Sequence, residues 1–117
     1  MSAEQQRDEG LNVAASKPGF VSISRFIIAN GMEREVRSAF LGRPHRVEQA
    51  SGFLRMDVLS PLDSPSEIWV MTVWTDAESF HLWHHSHVFH ESHEGIPKGL
   101  KLVSGAQKLQ EFEHVCS

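Results

Sequence analysis

Ile68-Trp-Val-Met-Thr-Val-Trp74, continued by Thr75-Asp-Ala-Glu-Ser-Phe-His-Leu-Trp83 and running on to His93, is the stretch that decides how this chain folds. Its first seven residues are an apolar run of β-branched and aromatic side chains, which predicts a strand. At Thr75 the pattern changes. Thr75 and Glu78 have the N-cap and N3 spacing of a capping box, and Asp76 adds negative charge to the first turn of a helix. The segment holds six of the eight histidines and all three tryptophans. A strand feeding a short, imidazole-rich helix is where chemistry is expected.

Working outward, Phe20 to Ile28 reads as a first strand. Phe20, Ser22, Ser24, Phe26 and Ile28 share one face; Val21, Ile23, Arg25 and Ile27 share the other. Both faces are largely apolar, so each needs a cover. Asn30, with Glu33 three residues on, has the spacing of a cap for a helix whose apolar side is Met32, Val36, Ala39 and Phe40. Gly42 to Pro44 stops it. After a short helical or irregular piece over Arg46 to Gln49, Gly52 to Leu59 alternates as a second strand. The turn Pro61 to Ser66 pairs it with the strand from Glu67. The later helix runs to about Trp83 and restarts at Ser86; Gly95 to Lys101 is a loop; Gln107 to Val115 is an edge-like last strand.

The order β-α-β-β-α-β is that of a ferredoxin-like α+β sandwich, with both helices on one face of an antiparallel sheet. The other face, with Val21, Ile23, Ile27, Trp69, Met71 and Val73, is too apolar for water. A homodimer joined through the sheet faces would cover it.

At 117 residues the chain is one domain. A formal net charge of −4 gives no basic patch for nucleic acid. No apolar run reaches the ~18 residues of a membrane span, and the polar start Met1 to Lys17 has no signal pattern. Residues 1–17 read as a flexible arm and 18–117 as the folded domain. The lone Cys116 fits a reducing compartment, and a cytoplasmic location follows as the default.

Among the histidines, His81 and His85, or His90 and His93, have the helical spacing of zinc ligand pairs, but no cysteine and few carboxylates accompany them. Solvent-facing side chains are the simpler reading for His81, His84, His85 and His90. His93 differs. It follows Phe89 by about one turn, and a neutral imidazole facing an apolar cleft is one way proteins hold haem iron. Phe80, Leu82 and Trp83 read as core. Lys98 and Lys101 are solvated or face an anion such as a propionate, and Ser24 asks for a partner if buried.

Phe20-Val-Ser-Ile-Ser-Arg-Phe26, Ala29-Asn-Gly31, Gly52-Phe53, Thr72-Val-Trp74, Phe80-His-Leu-Trp83, Ser86-His-Val-Phe89, His93 and Phe112-Glu-His114 together resemble the antibiotic biosynthesis monooxygenase (ABM) superfamily over residues 19 to 115. Within it, Trp83 followed ten residues later by His93 is similar to the haem-degrading monooxygenases. The resemblance implies a single ABM domain forming a dimeric α+β barrel. It implies haem as substrate and cofactor, His93 as axial ligand of the haem iron, and Trp83 pressing on the porphyrin. It also implies ring opening with dioxygen and an external electron donor, releasing iron. The family's asparagine that hydrogen-bonds dioxygen falls on Ser24, a departure that bears on catalysis more than on binding. Two other functions stay open: a cofactor-independent ABM monooxygenase acting on a quinol or aromatic polyketide, and a non-enzymatic haem-binding protein.

Overall fold

The computed structural model describes residues 17–86, 89 and 95–117. Four antiparallel strands, β1 (Phe20–Ile27), β2 (Phe53–Leu59), β3 (Glu67–Trp74) and β4 (Lys108–Glu113), lie in the order β2-β3-β1-β4. Helices α1 (Glu33–Leu41) and α2 (Ala77–His84) connect them, with a 3-10 turn at Val47–Gln49. This is the expected ferredoxin-like α+β arrangement. Of the expected N-terminal arm, residues 1–16 lie outside the described residues, and so does the helical restart toward His93. No helix among the described residues is long and apolar enough to cross a membrane.

The alternation along β1 sorts the molecule into two sides. Phe20 pairs with Trp74, Ser22 with Thr72, Ser24 with Val70 and Phe26 with Ile68, all on the side that the helices cover. One core cluster joins Phe20, Val47, Trp74 and Phe80; a second joins Ile28, Val36 and Ile68, with Phe26, Phe40 and Val70 against it. Each helix therefore roofs one end of the same sheet face. Trp74 and Ile68 are the largest side chains withdrawn completely from water, each worth about 2 kcal/mol or more of burial.

Three local expectations change in the structure. Asn30 does not cap α1: the N-cap is Met32, whose side chain makes no capping bond. Asn30 instead donates from Nδ2 to the Gly99 carbonyl (2.7 Å) and accepts the Lys101 N–H at Oδ1 (3.3 Å), tying the end of β1 to the loop before β4. The start of α1 is held by Glu33, which accepts from Ser66 Oγ at 2.6 Å. At α2 the cap is Asp76 rather than Thr75, with Asp76 Oδ1 accepting the Ser79 N–H at 2.7 Å. The Thr75 N–H is already committed to the Gly52 carbonyl (2.8 Å), so the strand ladder outlasts the proposed cap by one residue. The expected simple alternation of β2 is broken by a register shift between Phe53 and Arg55, which lets Phe53 face the helices together with Met56. Just before it, Gly52 has φ +83°, and a Cβ there would lie 2.2 Å from Ser79 Oγ. Only glycine lets α2 seat this close to β2.

Candidate functional site

The helix-covered face of the sheet carries two hydroxyls on β1, and the fold treats them differently. Ser22, buried, shares a hydrogen bond of 2.6 Å with Thr72 Oγ1, which also accepts the Trp74 Nε1–H at 2.7 Å. Ser24, two residues on, lies between Val70 of β3 and Leu109 of β4. Its side chain is half-buried and makes no hydrogen bond among the described residues. Ser22 is thus a braced part of the floor, and Ser24 a spare donor beside it.

Over this floor α2 supplies aromatic walls. Phe80 is buried against Phe20 (5.3 Å between ring centroids) and Trp74 (5.8 Å). Trp83, one turn on, lies 6.0 Å from Trp74 and meets Phe89 edge-on at 4.7 Å. Its Nε1 is buried yet has no hydrogen-bond partner among the described residues. Indole N–H groups in such positions normally find an acceptor, so Trp83 carries a second spare donor. A cavity of about 290 Å³ borders it, lined by Ala50, Ser51, Ser79, Leu82, Trp83 and Ser86. That volume lies near the lower end for ligand pockets. Ser24 does not line it. A second cavity of about 250 Å³ lies between α1 and β2, away from Trp83.

Trp83 leaves α2 in this direction because the helix is short and doubly fastened. Asp76 caps its start. At its end Ser86 Oγ donates to the Trp83 carbonyl (2.6 Å) and accepts the Phe89 N–H (3.2 Å). Asp76 titrates below the usual carboxylate range because the Ser79 backbone N–H donates to it. A second acidic anchor, Glu48 beside the 3-10 turn, is held at about 2 by the Arg43 guanidinium, with His45 adding to the effect.

Of the expected site residues, the structure places Trp83 and Ser24 on the helix-covered side of the sheet; His93 lies outside the described residues, as do His87 and His90. Two expectations for α2 are corrected. Leu82 is not core: it is 69% exposed, because the buried stripe of this two-turn helix runs through Phe80, Trp83 and His84. His84 is not solvent-facing: its ring stacks on Phe80 (5.2 Å, 20°) and meets Phe89 at 4.6 Å. His81 and His85 are exposed as expected, and His81 Nε2 lies 3.0 Å from Glu111 Oε1. Sequence reasoning missed the Ser22–Thr72–Trp74 network. Thr72 and Trp74 are two apart on a strand, hence on one face, and that was its available signal.

Around the cavity beside Trp83 the structure offers an aromatic wall and one unspent indole donor, and Ser24, Lys98 and Lys101 are not among its lining residues. Comparison with known proteins gives the family. Residues 15–95 match the family described as antibiotic biosynthesis monooxygenase. The chain is 30% identical over 97 residues to a heme oxygenase (mycobilin-producing) of Mycobacterium tuberculosis, covering 81% of this chain and 88% of that protein. It superposes on the heme-degrader MhuD from Mycobacterium tuberculosis, solved with two hemes in its active site, with TM-score 0.68 and 28% identity over 84% of this chain and 97% of that one. It has the fold of SnoaB, a cofactor-independent oxygenase from Streptomyces nogalater, at TM-score 0.67 and 19% identity, covering 86% and 97% of the two chains.

Proposed function

The chain belongs to the antibiotic biosynthesis monooxygenase family, and we propose that within it the protein is a haem-degrading monooxygenase. The observation that carries this reading is the wall built by Trp83: an indole fixed against the core and Phe89, with its N–H unspent. The similarity to a heme oxygenase over most of both chains supports it. When bound, haem would supply the redox-active iron at which dioxygen reacts, with electrons from an external donor, and the ring that is opened to release the iron.

The chain's own part is to bind, orient and keep water out. His93, ten residues after Trp83 as in the haem-degrading branch, would hold the haem iron. Trp83, backed by Trp74 and Phe89, would form a wall against the bound ring. Ser24 would bring a free hydroxyl as a donor to the haem pocket, a neutral hydrogen bond worth on the order of 1 kcal/mol and so less than tenfold in rate. An asparagine amide would reach further. Haem turnover is therefore slow but real. The open sheet face carrying Val21, Ile23, Trp69, Met71 and Val73 has no helix over it among the described residues, and a homodimer through these faces completes the protein. The reductant acts from outside, in the cytoplasm.

Hemin titration followed by absorbance tests ligation. The expected result is one hemin per chain, with the ligated spectrum lost in His93→Ala and kept in His81→Ala. A spectrum that survives His93→Ala rejects the assigned ligand. No binding at all leaves the cofactor-independent monooxygenase, which needs the cavity but not His93; the fold shared with SnoaB is compatible with it.

A further inference from the structure

On the uncovered face of the sheet, Arg25 sits on the inner strand β1, and Lys108, Glu67, Arg55 and Asp57 share that face. Arg25 pairs in register with Trp69 on β3 and Lys108 on β4. Its guanidinium carbon lies over the Trp69 ring, 4.7 Å from the centroid, and Nη2 donates to Gln110 Oε1. Nε is buried with no partner among the described residues. A guanidinium has five N–H donors, and this one spends a single donor. The cation–π contact and the Gln110 tether hold it in one pose.

In a lone chain the Nη donors not bound to Gln110 meet water from the open side, whereas Nε is already cut off from it. Anything that covers the face strips that water, and a buried guanidinium without acceptors is strongly unfavourable. An apolar cover alone would be opposed by Arg25. The cover has to bring an acceptor with it. The same face carries two carboxylates: Glu67, which accepts the Trp69 Nε1–H at 2.5 Å, and Asp57, which faces Arg55 at 3.1 Å from the exposed edge of β2. A second copy facing the first therefore carries both the missing acceptors and a second Arg25. A two-fold axis makes each such contact twice.

We propose that Arg25 is the polar pin of the interface between two copies of this chain, its spare N–H groups donating to Glu67 or Asp57 of the facing copy. The inference rests on the homodimer proposed above and adds to it the group that sets how the two sheets register. A bidentate guanidinium–carboxylate pair has a fixed geometry, whereas an apolar stripe alone tolerates sliding.

Sedimentation across a range of concentrations, on folded protein checked by circular dichroism, tests this. The full chain is expected to be dimeric. Arg25→Met, which leaves a facing carboxylate unpaired, is expected to raise the dimer dissociation constant at least tenfold, and Arg25→Lys to raise it less. One of Glu67→Gln and Asp57→Asn should weaken the dimer as well. Combined with Arg25→Met, that variant should add little, because the pair is then lost as a unit. A dimer as tight in Arg25→Met as in the unaltered chain overturns the role of Arg25 while leaving the dimer standing. So do two carboxylate variants without effect. An unaltered chain that is monomeric throughout overturns the dimer and the pin together.

Discussion

Thr72→Val is the sharpest test of how the floor beneath Ser24 is held. The substitution keeps side-chain volume and branching and removes one atom, Oγ1, which accepts the Trp74 Nε1–H at 2.7 Å and bonds Ser22 Oγ at 2.6 Å. Trp74 is 0% exposed and Ser22 3%, so neither group regains water when that partner goes. A buried polar group left without a partner costs about 1–3 kcal/mol. Two of them put the loss at about 2–6 kcal/mol, a large part of the stability of a small domain. Ser22→Ala removes one neutral hydrogen bond and leaves the indole satisfied, for about 1 kcal/mol. In the Ser22→Ala background Thr72→Val orphans the indole alone, so the two changes together should cost less than their sum. Urea denaturation measures all three, with an unchanged slope showing that the same surface unfolds. A Thr72→Val loss below about 0.5 kcal/mol, the scatter of ordinary surface changes, would refute the network as a structural brace. Strict additivity in the double variant would refute the coupling between the two hydroxyls.

Gly52→Ala forces a Cβ into Ser79 at φ +83°; left-handed strain of about 1–2 kcal/mol and overpacking of about 1–3 kcal/mol should lower the melting temperature clearly, and an unchanged one contradicts the seating of α2 on β2. Glu48 titrates at about 2 because Arg43 holds its anion. Its contribution is therefore present above the ordinary carboxylate range and is lost as pH falls from about 4.5 toward 2. Glu48→Gln should flatten that limb of the stability curve, by a small amount since the Glu48 end of the pair is open to solvent; an unaltered acid limb refutes the assignment. Trp83→Phe should bind hemin but degrade it more slowly, while Ser24→Asn keeps or raises the rate; single-turnover absorbance traces decide both.

The residues themselves announced much of the sheet. The run from Ile68 to Trp74 and the two-faced alternation of Phe20 to Ile28 required central strands, and the structure pairs them residue for residue. Features that depended on distant partners were not legible. Asn30 looks like a cap when only its neighbours are read, yet its partners are Gly99 and Lys101. The bulge between Phe53 and Arg55 is set by packing under α2 at Gly52. Thr75 lost the cap to Asp76 because its N–H belongs to the sheet. In the candidate site, Trp83 was visible from its spacing and family likeness, but whether it packed as core or faced a ligand was not. Its ring lies against Trp74, while its N–H has no partner among the described residues. His84 was misread because a histidine on a short helix gives no periodic sign of being clasped between Phe80 and Phe89.

The central claim is that this chain destroys haem rather than merely holding it. The direct measurement is the absorbance of the hemin complex in air after a reductant is added, with catalase present to remove free peroxide and a chelator to report released iron. The account predicts steady loss of the haem bands with iron appearing in step, slowed in Trp83→Phe. A haem spectrum that is reduced and then stays unchanged for hours, with no iron released, would contradict it and make the protein a haem carrier.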